Sequence, residues 1–386
     1  MTPLIRNIGG NKAIGMEKNV TIIGAGLVGS LWAVYLSRAG YKVTIYERRS
    51  DIRKAEISAG KSINLALSVR GWKALDAVGV GDDVREIAIP MYGRVMHDLE
   101  GELTYQAYGK EGQAIYSVSR GNINAKMMDI AEKKGNSTIH YNHECHRVDF
   151  EKSISFIRNT ITGEEIEIKS DLIFASDGAF SAIRYNSMQK LPRFNYSQRF
   201  IEDGYREILL PANEDGSYKM DKNALHIWPR GRFMMIALAN EDGSFTCTLF
   251  MPHENHKYAF DKLNSKDDVD QFFKEVFPDF YKMMPNVGEA WEDHPLSSLA
   301  IIRCFPWTHG KVALMGDSAH ATVPFYGQGM NSGFEDCTVL NDLMIKHDEN
   351  WDNVFKEYNE TRKRDGDALQ DLSLDNYYEM RDHVAD

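Results

Sequence analysis

The segment that most constrains the fold is Val20-Thr-Ile-Ile-Gly-Ala-Gly-Leu-Val-Gly-Ser30, taken together with Glu47. An apolar run, Val20 to Ile23, enters a turn carrying Gly24, Gly26 and Gly29. A helix-like segment, Leu27 to Arg38, leaves it, and a second apolar run, Tyr41 to Tyr46, ends at Glu47. This order is a β-α-β unit with a G-x-G-x-x-G turn and an acid at its far end. Gly24 permits the tight turn, Gly26 lets a pyrophosphate approach the backbone, and Gly29 lets helix and strand pack closely. The helix N-terminus offers free N–H groups and a partial positive charge to phosphates. Glu47 is placed to accept hydrogen bonds from a ribose 2′-OH. The turn alone would also suit some other α/β domain, but strand, helix and acid together point to a dinucleotide.

A chain of 386 residues can bury a large core and favours two or three domains. Its net charge of −11 argues against nucleic acid as a partner. The four cysteines, Cys145, Cys247, Cys304 and Cys337, are scattered without a C-x-x-C. That pattern is neither a disulfide framework nor a zinc ribbon, and it suits a reducing, cytoplasmic compartment. No apolar run approaches the length of a membrane span, and residues 1–19 lack the apolar stretch of a secretory signal. The folded domain is expected to begin near Met16.

The motif order is discontinuous. Residues from Met16 to Val80 read as a first nucleotide-binding half, and Tyr141 to Asp177 as strands returning to it. Between Arg199 and Pro252 three β-rich runs, Ala224-Leu-His-Ile-Trp-Pro, Phe233-Met-Met-Ile-Ala-Leu-Ala and Phe245-Thr-Cys-Thr-Leu-Phe-Met, are separated by turn sequences. They read as an antiparallel meander whose methionines and aromatics form core. Gly310 to Asp317 is a further strand returning to the nucleotide domain, and helical periodicity dominates from Gly333 onward.

Two more signals narrow the cofactor to FAD. Ser176-Asp177-Gly178 is an Asp-Gly turn between an apolar strand and a helix. Val312-Ala-Leu-Met-Gly-Asp317 is a strand ending in Gly-Asp, followed by Pro324-Phe-Tyr-Gly-Gln-Gly-Met-Asn331 opening a helix. Asp317 suits the ribityl or ribose hydroxyls of a long cofactor. Backbone N–H groups around Met330 and Asn331 suit the N1–C2=O edge of a flavin. Gly-Asp alone would equally serve as a simple helix cap.

These motifs mark the flavoprotein aromatic hydroxylases. Further stretches, Lys61-Ser-Ile-Asn-Leu-Ala-Leu, Pro90-Met-Tyr-Gly-Arg94, Tyr116-Ser-Val-Ser-Arg120, Leu225-His-Ile-Trp-Pro-Arg230 and Asp375-Asn-Tyr-Tyr-Glu-Met-Arg381, resemble the kynurenine 3-monooxygenase family from about Met16 to the last residues. The resemblance implies a mixed α/β fold: a Rossmann-like FAD-binding domain, an inserted antiparallel β-sheet substrate domain, and C-terminal helices. The expected division is 16–85, 110–190 and 296–335 for the FAD domain, 86–109 and 191–295 for the substrate domain, and 336–386 for the helical segment. It implies that Val28, Tyr46, Glu47, Arg48 and Arg49 line the FAD pyrophosphate and adenosine. Ala66 would lie beside the flavin, Arg120 would reach the FAD, and Cys145 would offer only backbone to the adenine. Asp317, Met330 and Asn331 would complete the cofactor shell. Arg94, Tyr108 and Asn376 would hold a substrate carboxylate, with Glu379 and Met380 one helical turn beyond Asn376. Pro324 and Phe325 would pack against the substrate ring.

The implied reaction uses FAD, NADPH and O₂ to convert L-kynurenine to 3-hydroxy-L-kynurenine through a flavin C4a-hydroperoxide, on the route from tryptophan toward quinolinate and NAD. The chemistry belongs to the cofactor, so no side chain is assigned as acid or base. A forked cation such as Arg94 and neutral donors such as Tyr108 and Asn376 suit a zwitterionic head, and an apolar slot suits an aniline ring. Residue type alone would equally allow a surface arginine, a core-edge tyrosine and a solvated asparagine. His143, Cys145 and His146 resemble metal ligands, but on a strand His146 faces away from the other two, so no metal site is expected. His320 is expected to be structural. Other readings are a hydroxylase of another aromatic substrate or an FAD-binding protein without turnover.

The sequence also departs from the family. Members carry a further helical C-terminal segment, which includes a membrane anchor in eukaryotes and another pocket tyrosine. This sequence stops at Asp386, so a truncated chain or a differently closed pocket is expected. Tyr326 stands where the motif carries Phe or His, which leaves its role open.

Overall fold

A computed structural model describes residues 18–54 and 64–382, with side chains to 379. The expected start at Met16, the Lys61–Ile63 part of one motif, the side chain of Met380 and residues 383–386 lie outside the described residues. The first apolar runs form β1 (Asn19–Ile23) and β2 (Lys42–Glu47), joined by α1 (Leu27–Arg38). The strands pair in parallel, Val20 opposite Val43 and Ile22 opposite Ile45. Both faces of β1 are covered, which is why its sequence is continuously apolar and not alternating. From α1, Leu31, Trp32, Val34 and Leu36 are fully buried against this sheet. The Trp32 ring meets Phe174 edge-on at 5.3 Å.

The sheet grows by chain returns from distant sequence. Its order is Thr308–His309, Val312–Leu314, Leu172–Ala175, β1, β2, Thr138–Tyr141. Neighbours are parallel except at the Thr308–His309 edge. Strands His143–Asp149, Ile154–Asn159 and Glu165–Lys169 form a separate antiparallel sheet, and Asn64–Leu67, Ile115–Ser119 and Ile89–Met91 form another. The expected meander is present as Ala224–Pro229, Met234–Ala239 and Phe245–Pro252, within a seven-stranded sheet. Its edge strands on one side are Gly93–His97 and Leu103–Ala107. Helices Lys266–Val276 and Pro278–Met283 cover one face with Phe272, Phe273 and Phe280.

Two segments sit differently from the expected division. Ser297–Phe305, assigned by position to the nucleotide part, pairs antiparallel with Asn195–Leu210 in the seven-stranded sheet. The chain re-enters the six-stranded sheet only at Thr308. Ile89–Met91, assigned to the substrate part, pairs with Ile115–Ser119. An apolar run shows that a strand is buried but not which sheet edge will receive it. Helices Gly329–Lys346 and Trp351–Asp382 are the last described elements. No described helix is long and apolar enough to cross a membrane.

A polar chain is buried between the seven-stranded sheet and its covering helices. His226 Nε2 donates to the Asp221 carbonyl at 2.8 Å, and its Nδ1 lies 2.9 Å from His97 Nε2. His97 Nδ1 lies 2.8 Å from Asp279 Oδ2, which also accepts from Trp228 Nε1 at 2.8 Å. Burial pushes His226 down to about 4. Its folded value is thus depressed below the ordinary histidine range, so the unfolded chain takes up the proton first. The stabilisation is complete above about pH 6.5 and is lost as pH falls toward about 4, at up to about 1.4 kcal/mol per pH unit. Urea midpoints should therefore fall between pH 7 and pH 5, and His226→Phe should flatten that slope. Parallel slopes in both proteins would remove His226 as the cause.

Candidate active site

Tight packing shapes the turn after β1. Gly24 adopts φ +98°, and a Cβ there would stand 2.6 Å from the Ser176 carbonyl oxygen. A Cβ on Gly29 would meet the Gly24 oxygen at 2.2 Å and Ser176 Oγ at 2.4 Å. Gly26 differs, since a Cβ there would meet nothing within 4 Å. No side chain caps α1, and its first turn holds no acid. Its leading N–H groups therefore have no capping side chain, an arrangement that suits a pyrophosphate.

Glu47 is 3 % exposed. One carboxylate oxygen accepts the Ala25 N–H at 2.9 Å, and the other accepts the Arg49 N–H at 3.0 Å and Arg49 Nε at 2.9 Å. Burial pushes this carboxyl up, but the Arg49 hydrogen bonds and charge outweigh it and hold it below its ordinary value. Glu47 thus fastens the glycine turn to the end of β2, with about one lone-pair site left for a further donor. Tyr46 is buried and stacks on His140 at 5.1 Å, while Arg48 is exposed. Cys145 is buried on His143–Asp149, and burial raises its thiol far above the ordinary range. His146 lies 3.5 Å from Glu165, and the described residues contain no cluster of His, Cys, Asp and Glu able to hold a metal ion.

The other two cofactor motifs converge on the same place. Asp177 accepts from Ser318 Oγ at 3.0 Å, which joins the Asp-Gly turn to the Gly-Asp turn. Asp317 opens the short helix Asp317–His320 and is half-buried. Gly316 adopts φ +55°, and its N–H donates to Asp336 Oδ2 at 2.8 Å. The same carboxylate accepts from His320 Nε2 at 2.7 Å and Arg362 Nε at 2.9 Å. Burial pushes Asp336 up, but His320 and Arg362 outweigh it and keep it ionised. Val28 sits over this turn, its Cγ2 only 2.9 Å from a Cβ built on Gly316 and 2.5 Å from one on Gly333.

Asn331 is fully buried. Its Nδ2 donates to the carbonyls of Ala66 at 2.8 Å and Gly327 at 2.9 Å, and its Oδ1 accepts the Ser68 N–H at 2.9 Å. The side chain therefore stitches strand Asn64–Leu67 to the turn before its own helix. Met330, beside it, is half-buried. Arg120 begins helix Arg120–Lys133, is exposed, and makes no ion pair among the described residues. Its charge opposes the burial-driven rise of the Tyr205 phenol.

The substrate candidates form two groups. Arg94, on Gly93–His97, donates from Nε to Gln106 Oε1 at 2.8 Å. Tyr108 follows Leu103–Ala107 and keeps 38 % of its surface exposed. Burial of the phenol still raises it to about 12, with nearby Arg94 opposing. In the second group, Pro324 and Phe325 lie in the turn Pro324–Tyr326, where Asn376 Nδ2 donates to the Phe325 carbonyl at 2.6 Å. Glu379 is exposed and Tyr326 is 48 % exposed. Sequence reasoning missed Asp336, Arg362, Asp203 and Tyr377. Tyr377 stood inside a quoted motif, but the other three carry no local signal.

A family model described as an FAD binding domain matches residues 17–373. The fold is also that of solved 2-methyl-3-hydroxypyridine-5-carboxylic acid oxygenase, with a TM-score of 0.78 at 18% identity over 96% of this chain and 94% of that one. Klebsiella pneumoniae HpxO, solved with FAD and uric acid, gives 0.75 at 19% identity over 95% and 90%. The chain is thus an FAD-binding protein with the fold of FAD-dependent hydroxylases. It is 50% identical over 368 residues to kynurenine 3-monooxygenase of Flavobacterium johnsoniae, covering 95% of this chain and 81% of that protein. The Sus scrofa enzyme of that name is 42% identical over 372 residues, covering 95% and 77%. The chain belongs to the kynurenine 3-monooxygenase family.

Gly26 and Gly29 predict different failures. Gly29→Ala should destabilise the fold itself, whereas Gly26→Ala should leave the thermal transition of the FAD-free protein within a few degrees and weaken FAD retention at least about tenfold. Thermal melts and FAD titration check this, and normal FAD affinity in Gly26→Ala would remove the turn from the cofactor site.

Proposed function

We propose that this chain hydroxylates L-kynurenine to 3-hydroxy-L-kynurenine, with NADPH and O₂ as co-substrates. The observation that carries this reading is the neighbouring pair of Arg94, on the strand Gly93–His97, and Tyr108, just after the adjacent strand Leu103–Ala107, in a chain of this family. An arginine fork matches the carboxylate of an amino acid. A phenol raised to about 12 stays protonated at neutral pH and can donate a hydrogen bond to the same head group. The buried Phe325, with Pro324, supplies an apolar wall for an aniline ring. Asn376 and Glu379, on the C-terminal helix, and Met380 after them would complete this side of the pocket.

The cofactor residues fit FAD. The open N-terminus of α1 would hold the pyrophosphate, with Val28, Tyr46, Glu47, Arg48, Arg49 and the Cys145 backbone along the adenosine. Asp317 would take the ribityl hydroxyls, and Ala66, Met330 and Asn331 would border the flavin, with Arg120 reaching it from the rim. Bound FAD supplies the redox chemistry, accepting two electrons from NADPH and delivering oxygen from O₂. The protein orients the ring and keeps water away from it. Four buried free cysteines suit a reducing, cytoplasmic setting, and the product suits tryptophan degradation toward quinolinate.

The purified protein should be yellow, and L-kynurenine should accelerate its NADPH oxidation and yield a product heavier by one oxygen. A yellow protein whose NADPH oxidation ignores L-kynurenine would sink the substrate assignment. Arg94→Ala should retain FAD while raising the kynurenine KM roughly thirty-fold, equivalent to about 2 kcal/mol of a charge-assisted hydrogen bond. An unchanged KM would remove Arg94 from the site.

A further inference from the structure

Phe325 is gripped through both its backbone and its ring by consecutive residues of the C-terminal helix. Asn376 takes its carbonyl, and Tyr377 lies flat against its ring at 3.7 Å and 15°. Phe250 meets the Phe325 ring edge-on at 4.9 Å. Tyr377 is fully buried, and its hydroxyl donates to Asp203 Oδ2 at 2.6 Å. Asp203 is 1 % exposed and receives Arg232 Nη1 on both oxygens at 2.9 and 3.1 Å. It sits where the pairing of Asn195–Leu210 with Ser297–Phe305 shifts register, between Phe200 and Gly204.

A phenylalanine at 377 would fill this space but would leave the buried Asp203 carboxylate without one of its hydrogen-bond donors. Burying Asp203 with its partners gains little net stability compared with apolar packing, but it fixes where the Tyr377 hydroxyl must point. The ring plane of Phe325 then follows from the stack. We propose that Tyr377, anchored by Asp203 and Arg232, is a positioning residue that sets the orientation of Phe325 as the aromatic wall of the substrate pocket. The site concerned is the one assigned above, so the inference rests on that reading for its kinetic consequence. Its structural consequence stands apart from any substrate.

The test compares Tyr377→Phe, which keeps the stack and loses the anchor, with Tyr377→Leu, which loses both. Both are prepared as FAD-loaded full-length protein. In Tyr377→Phe the kynurenine KM should rise about five-fold, the effect of one hydrogen bond, and the fraction of NADPH ending as peroxide should increase. Tyr377→Leu should exceed both effects. Lowered thermal stability with KM and peroxide fraction unchanged in both variants would overturn the proposal and leave Tyr377 as core. The second readout needs no substrate. With 4-fluorophenylalanine at position 325, the parent should give one sharp ¹⁹F line, and Tyr377→Phe a broadened or second line. A single unmoved line would overturn the proposal even if L-kynurenine proved not to be the substrate. Failure of the parent to respond to L-kynurenine, with the ¹⁹F change present, would instead overturn the substrate assignment alone.

Discussion

The buried carboxylate of Asp336 holds together parts of the candidate cofactor site that are far apart in sequence. It accepts from the Gly316 backbone, from His320 and from Arg362. These belong to the Gly-Asp turn, the short helix after it and the C-terminal helix. A charge inside a protein is tolerable only when its hydrogen-bonding capacity is filled, and removing one partner leaves an uncompensated ion. The one carboxylate therefore ties the three elements to one another. Arg362 also donates to the Ser332 carbonyl and hydroxyl at 3.1 Å, which ties in the helix that carries Met330 and Asn331.

Close backbone approach does the same work on the other side. With Gly24 and Gly29 lacking Cβ atoms, α1 can lie against Ser176, and Val28 can fill the space over Gly316 and Gly333. The glycine turn, the Asp-Gly turn and the Gly-Asp turn are thereby brought together. A Cβ on Gly26 would meet nothing within 4 Å.

Much of the nucleotide side was legible in the sequence because its requirements are local. Glycines at fixed offsets, an acid at the end of β2 and Gly-Asp after an apolar strand each answer to a turn or helix end built by neighbouring residues. The substrate side was legible only in part. The meander could be read from alternating runs and turns, but Ser297–Phe305 was assigned to the other sheet, because strand pairing between residues a hundred positions apart has no local signature. Asn331 was read for its backbone, whereas its side chain does the stitching to Ala66 and Gly327. His320 was read as structural, and its ring is spent on Asp336.

By itself the sequence determined the β-α-β unit, the three glycine and aspartate turns, the meander and the helical end, since each follows from periodicity and turn chemistry over a few residues. Only the tertiary structure decided which sheet receives each returning strand, that Glu47 fastens the turn through Ala25 and Arg49, and that Asp336 and Asp203 are buried anchors. The reason is physical. A carboxylate looks the same in sequence whether it faces water or a buried arginine, and only the packed chain brings its partners within hydrogen-bonding distance.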